Sequence, residues 1–141
     1  MTHSYRAERR IRFSDCDPAG IVFYPQYFVM FNGVLEDWVD ALGIGFHDLL
    51  TRRRIGLPSV RIEADFHAVS HFGDAVSVLL EVERVGGKSL TLGWRCIATQ
   101  GGELRMAMRQ VVVTTSLETH QAIAIPEDLR AAIEAKDWRH A

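Results

Sequence analysis

An α+β fold, one long helix packed on an antiparallel sheet, is the architecture this sequence predicts, and three observations carry the prediction. Apolar residues recur at helical spacing over one long stretch after Pro25. Several stretches alternate apolar and polar residues, as half-buried strands do. Between the later ones, Gly86-Gly87 and Gln100-Gly101-Gly102 read as tight turns, so three strands follow one another as a meander.

The elements follow in order. Met1 to Arg6 is polar, and Ala7 to Phe13 reads as a first strand with Arg9, Ile11 and Phe13 on one face and Arg10 and Arg12 on the other. Proline is tolerated best at the first helical position, where its missing N–H costs nothing, so Pro25 marks a helix start. From there Phe28, Phe31, Leu35, Trp38 and Leu42 recur at steps of 3, 4, 3 and 4, an apolar stripe that ends near Gly43. Glu36, Asp37 and Asp40 fall off that stripe. A short helix is expected over Phe46 to Arg53, closed by the breaker Gly56-Leu57-Pro58. Next, Val60, Ile62, Ala64, Phe66 and Ala68 alternate with Arg61, Glu63, Asp65 and His67, which predicts one packed face and one polar face. Val76, Val78, Leu80 and Val82 begin the meander, Leu90, Leu92, Trp94 and Cys96 return, and Leu104 to Thr115 makes a long final strand. Pro126 to Asp137 fits a C-terminal helix with acids in its first turn. One helix cannot cover five strands, so the sheet edges call for pairing, and a homo-oligomer that extends the sheet is expected.

The 141 residues fit a single domain, 1–141, large enough for a real core. A net charge of -2 gives no reason to expect nucleic acid or an anionic membrane. No stretch joins a basic start to an apolar h-region, and no apolar run approaches the roughly 20 residues that span a bilayer, so a cytoplasmic location is expected. Cys16 and Cys96 have neither metal spacing nor the pattern of a disulfide scaffold, and are expected as reduced thiols.

Asp17 is the leading chemical candidate. It precedes Pro18, which pushes it onto an extended bend, and Tyr24-Pro25 then opens the long helix, so a carboxylate stands beside a helix N-terminus. The N–H groups there are unpaired donors at the positive end of the dipole. The competing structural reading is an Asx-turn in which Asp17 only bonds the backbone two residues on, and Asp15 has the same alternative. As chemistry, the pattern suits acyl transfer: a carboxylate attacks an acyl carbon or takes a proton from water, while helix-terminal N–H groups stabilise the oxyanion.

The run from Asp15 to Tyr27, Asp-Cys-Asp-Pro-Ala-Gly-Ile-Val-Phe-Tyr-Pro-Gln-Tyr, closely resembles the signature of the 4-hydroxybenzoyl-CoA thioesterases of the hotdog superfamily. Weaker similarity continues through Gly56-Leu57-Pro58, Glu63 to Phe66, Lys88-Ser89 and Ala122 to Pro126. The resemblance implies a hotdog fold, a five-stranded antiparallel sheet wrapped around one central helix, with a site across the interface of a homodimer or homotetramer. It implies acyl-CoA hydrolysis, with an aromatic or short acyl group and no metal or redox cofactor. By position, Asp17 matches the family's carboxylate, nucleophile or base, and Tyr24 the residue whose backbone N–H polarises the thioester carbonyl. Lys88 and Ser89, after the Gly86-Gly87 turn, are candidate contacts to CoA phosphates, with Arg84 a further candidate, because backbone amides and a nearby lysine suit phosphate. Two positions depart from the pattern: a helix carboxylate expected near a substrate phenol is Asn32, and an arginine expected near the CoA nucleotide is Gln121.

Several bland readings stand beside these. Arg84 and Arg52-Arg53-Arg54 read as solvated surface, with contact to CoA phosphates, for Arg52-Arg53-Arg54 from a partner subunit, as the alternative; Trp38 and Trp94 read as core, and Met106 and Met108 as strand filling. His67 and His71 lack a third ligand at metal spacing. Among rivals, hotdog hydratases usually place a histidine near the helix, and none lies between Ile11 and Phe46. A module that binds acyl-CoA without cleaving it, and a thioesterase for aliphatic acyl-CoA, remain as alternatives.

Overall fold

The computed structural model describes residues 3–138. In chain order it contains β1 (Tyr5–Arg10), a 3-10 turn (Phe13–Asp15), α1 (Pro25–Ala41), α2 (Phe46–Thr51), β2 (Ile55–Gly56), β3 (Ser59–Phe66), β4 (Ala75–Val85), β5 (Ser89–Ala98), β6 (Leu104–Val113), β7 (Thr115–Ser116) and α3 (Glu127–Ala135). Five strands form one antiparallel sheet in the order β1-β4-β5-β6-β3, and β2 with β7 makes a separate two-stranded ribbon. The α+β hotdog architecture expected from sequence is the one observed, with α1 as its central helix.

Helix α1 begins at Pro25 as expected and lays Phe31, Val34, Leu35, Trp38 and Val39 into the core, with Tyr27 at its first turn. Phe31 stacks flat on Trp94 of β5, ring centres 5.0 Å apart and planes 6° apart. Such a pair adds about 0.5–1.5 kcal/mol beyond its buried area. Phe28 and Leu42, expected on the stripe, are only partly buried. The buried arc is wider than the sheet alone would require because Leu49 of α2 and Leu129 and Ile133 of α3 join the same core. After the helix, Asp40 turns its carboxylate back to accept the Phe46 N–H at 2.7 Å, which closes the corner into α2.

Three expectations shift. The first strand is Tyr5–Arg10, not Ala7 to Phe13: Tyr5 and Ala7 point inward, and Arg9 follows in phase because its guanidinium reaches Asp37 of α1 at 2.6 Å. The final strand stops at Val113, where Thr114 turns its N–H to the Lys88 carbonyl and its hydroxyl to the Ile123 carbonyl, releasing β7 to pair with β2. The third concerns β3. Its expected packed face is largely bare, with Val60, Ile62 and Phe66 exposed by 63%, 46% and 51%, because β3 lies at the sheet edge, where α1 covers it only in part. Trp38, Trp94, Met106 and Met108 are core, as expected. No described helix is long and apolar enough to cross a membrane.

Candidate active site

The stretch from Cys16 to Val22 folds back on itself as a small hairpin. Cys16 and Val22 pair, the Asp17 N–H donates to the Ile21 carbonyl at 3.1 Å, and the Gly20 N–H donates to the Asp17 carbonyl at 2.9 Å. Pro18 presets its own φ, and Gly20 takes φ +80°, which a residue with a side chain rarely adopts. Inside this turn the Asp17 Oδ1 accepts the Ala19 N–H at 2.8 Å, so the Asx-turn weighed from sequence is formed. It fixes the carboxylate by one oxygen; Oδ2 has no hydrogen-bond partner among the described residues. Asp15 is structural: its Oδ2 accepts the Arg12 N–H at 2.8 Å and its carbonyl accepts the Phe23 N–H at 2.9 Å.

Tyr24 caps α1, and its N–H finds no acceptor among the described residues, while the Gln26 and Tyr27 amides are taken by the Phe23 and Tyr24 carbonyls. The Tyr24 ring is exposed and meets Phe23 and Phe66 edge-on. It walls an apolar cleft of about 290 Å³ lined also by Ile21, Val22, Tyr27, Phe66 and Ser70. Asp17 does not line this cleft; its hydrogen-bonded partner Ile21 does. At the cleft wall Tyr27 donates its hydroxyl to Ser70 Oγ at 2.9 Å, and Arg105 Nη1 reaches both Ser70 Oγ and Asp74 Oδ2. The Arg105 guanidinium and the His71 backbone N–H hold the Asp74 carboxyl below the usual carboxylate range, and burial pushes the Tyr27 phenol up. Cys16, beside Asp17, is pushed up by burial and by the Asp15 and Asp17 charges, so it stays a protonated thiol at neutral pH. Cys96 is buried and pushed up to about 12.

The remaining sequence candidates lie elsewhere. Asn32 stands on the exposed side of α1, its Nδ2 donating to Glu36 Oε2 at 3.3 Å, beside a cavity of about 110 Å³. Lys88 and Ser89 form the β4–β5 hairpin, where the Lys88 side chain is exposed and α3 backs the turn through Arg130 Nη2 to the Gly86 carbonyl at 2.6 Å. That hairpin sits at the far end of the 11-residue β4 from the Asp17 loop, roughly 35 Å at about 3.3 Å per residue. One chain therefore carries Asp17 and Tyr24 on the same stretch before α1 and leaves Lys88 and Ser89 at the other end of β4. Arg52 and Arg53 are held by Asp48 and Asp128 rather than free for a ligand. Gln121 is exposed, and its carbonyl accepts the Ser116 N–H. No group of three metal-ligating side chains exists among the described residues, His67 and His71 included. Gln110 escaped the sequence reading. Its signal was a lone amide on the inward stripe Met106, Met108, Val112 of β6, and it lines the Asn32 cavity with Ser59.

The family model described as the Thioesterase-like superfamily matches residues 11–133. The chain belongs to that superfamily. This thioesterase is 27% identical over 140 residues to a 1,4-dihydroxy-2-naphthoyl-CoA hydrolase of Synechococcus sp. (strain CC9311), covering 94% of this chain and 91% of that one. It is also 27% identical over 135 residues to the 4-hydroxybenzoyl-CoA thioesterase of Pseudomonas sp. (strain CBS-3), covering 91% and 96%. Among solved structures it superposes with TM-score 0.85 and 25% identity on an aspartate-to-asparagine variant of 4-hydroxybenzoyl CoA thioesterase complexed with 4-hydroxybenzoyl CoA, covering 93% and 99%.

Proposed function

We propose that this thioesterase hydrolyses an aromatic or short acyl-CoA to the free acid and CoA, with Asp17 as the reacting carboxylate and the Tyr24 N–H as the oxyanion donor. The observation that carries the reading is the pairing, within one loop, of a carboxylate oxygen without a partner and a helix-terminal N–H without an acceptor. Asp17 either adds to the thioester carbon, forming an anhydride that water then opens, or takes a proton from a water that adds. In both routes negative charge gathers on the carbonyl oxygen, where the Tyr24 N–H and the helix dipole meet it. Collapse breaks the carbon–sulfur bond, and the departing thiolate takes up a proton as CoA. The chemistry uses no metal or redox cofactor.

The working unit in this reading is at least a homodimer, with the uncovered face of β3 at its interface. A second copy supplies Lys88 and Ser89 to the CoA phosphates, because the hairpin of the same chain is too remote. Asn32 contacts the acyl group.

Thiol release from 4-hydroxybenzoyl-CoA and benzoyl-CoA tests this. Asp17→Asn is expected to lower kcat by about 10²–10⁴-fold with an unchanged circular dichroism spectrum, and a chelator is expected to leave the wild-type rate intact. Tight binding of acyl-CoA without thiol release would instead make the chain a binding module.

A further inference from the structure

We infer that Arg105 is a positioning residue for thioester hydrolysis: acting through Ser70, it fixes the Asp17 hairpin relative to the first turn of α1. The inference deepens the reading proposed above and rests on the roles given there to Asp17 and the Tyr24 N–H.

Both parts of that site lean on one buried residue. The hairpin from Cys16 to Val22 lies along residues 70–72: the Val22 N–H donates to the Ser70 carbonyl at 3.0 Å, Ile21 bridges His71, and the Phe72 N–H donates to the Gly20 carbonyl at 3.2 Å. The helix reaches the same residue through Tyr27, three positions after the Tyr24 cap, whose hydroxyl donates to Ser70 Oγ at 2.9 Å. Ser70 is thus held to the carboxylate loop by its backbone and to the helix by its side chain. It is 1% exposed, so solvent has little access to either bond.

Ser70 stands in the irregular chain between β3 and β4, which supplies no ladder of its own to hold it. Arg105, on β6, supplies the anchor. Its side chain is 12% exposed, and one nitrogen, Nη1, lies 2.8 Å from Asp74 Oδ2, 3.1 Å from Ser70 Oγ and 3.1 Å from the Val69 carbonyl oxygen. Those acceptors span the turn from residue 69 to residue 74, and Asp74 Oδ2 also accepts the His71 N–H at 2.9 Å. Arginine can only donate, so Ser70 Oγ receives from both Arg105 and Tyr27, and each bond limits the angle of the other. Because β6 is paired on both sides, with β5 and β3, the anchor is an interior strand of the sheet. An ion pair that only stabilised the fold would need Asp74 alone; the contacts to Val69 and Ser70 bring the guanidinium to the residue that the loop and the helix share.

Steady-state thiol release, on whichever acyl-CoA is turned over fastest in a panel of aryl, short-chain and long-chain thioesters, tests the assignment. A misplacement of about 1 Å costs up to about a hundredfold in rate, so Arg105→Ala is expected to lower kcat about ten- to a hundredfold. Ser70→Ala removes the two Oγ bonds, keeps the carbonyl, and is expected to lower kcat about tenfold; should Arg105→Ala fail to fold, it carries the same comparisons. In both variants KM is expected to stay within about threefold. Guanidinium ion at non-denaturing concentration is expected to raise kcat of Arg105→Ala at least about fivefold, and to leave Arg105→Met, whose side chain fills the space, unchanged. Combined with Asp17→Asn, either alanine change is expected to cost under about threefold, because there is no longer a carboxylate to aim, whereas a loss from unfolding would recur at full size. Equal losses with and without Asp17→Asn would overturn the positioning role. So would Ser70→Ala with kcat within about twofold of wild type while Asp17→Asn is impaired. An Asp17→Asn variant with wild-type kcat would overturn the Asp17 reading and this inference with it.

Discussion

At one edge of the sheet, β1 buries Tyr5 and Ala7 and surrounds them with paired charges: Arg6 meets Glu8 at 2.6 Å, Glu8 accepts the Ser77 hydroxyl at 2.7 Å, and Arg9 crosses to Asp37. At the other edge, β3 leaves Val60, Ile62 and Phe66 bare. The two strands have similar apolar alternation, yet one is finished within the chain and the other is not. Charged edges discourage pairing with another chain, and apolar edges invite it. The contrast teaches that the chain is closed on the β1 side and left open on the β3 side, next to the Tyr24 cleft and the Asn32 cavity.

The sharpest break in that contrast is a charge on the open side. In a two-fold interface one substitution acts twice, and an unpaired buried charge costs about 2–5 kcal/mol each time. In the proposed dimer, Ile62→Lys is therefore expected to give a monomer in size-exclusion chromatography and to abolish thiol release together with it; an unchanged elution volume would overturn β3 as the proposed interface. A smaller effect is expected where the chain leaving β3 is anchored. The Arg105 carbonyl accepts the His67 and Ala68 N–H groups, and its guanidinium holds Asp74 and Ser70. Arg105→Met is expected to cost about 1–3 kcal/mol in urea unfolding at pH 7. Because the folded Asp74 pKa is lowered, chiefly by Arg105, its contribution is complete above the ordinary carboxylate value and lost as pH falls through the lowered one. Wild type should lose that stability below about pH 4, and the variant should show a shallower acid limb. Tyr27→Phe, which removes one of two bonds to the buried Ser70 hydroxyl, is expected to cost about 1 kcal/mol by the same measurement. On the closed edge, Arg9→Ala breaks a half-exposed pair and is expected to cost under about 1 kcal/mol with no change in assembly.

The sequence made α1 legible because its signals agree: Pro25 at the start, a stripe at helical spacing, Gly43 at the end. The β4–β5–β6 meander was legible for the same reason, since its turns and its alternation point the same way. Strand order was not, because nothing local in β3 says that it pairs with β6 rather than with β4. The frame of β1, with Arg9 on the Ile11 face, was legible but its bounds were not, because Tyr5 stands in a polar start and Arg9 holds its inward position only through Asp37, 28 residues away. At the candidate site, the Asp17 turn and the Tyr24 cap are local and were read from neighbouring residues. Ser59 and Gln110 meet only through a bulge and a strand register 51 residues apart in sequence, so no local pattern joins them.

The Ala19 amide at 2.8 Å makes the loop a gauge of side-chain length rather than of charge. Asparagine fills the gauge, since its carbonyl oxygen reaches the same N–H, whereas glutamate overshoots by a methylene and carries the charge to the wrong place. Position 17 therefore lets geometry and ionisation be varied one at a time: Asp17→Asn leaves a loaded but uncharged copy of the site, and Asp17→Glu a charged but misaimed one.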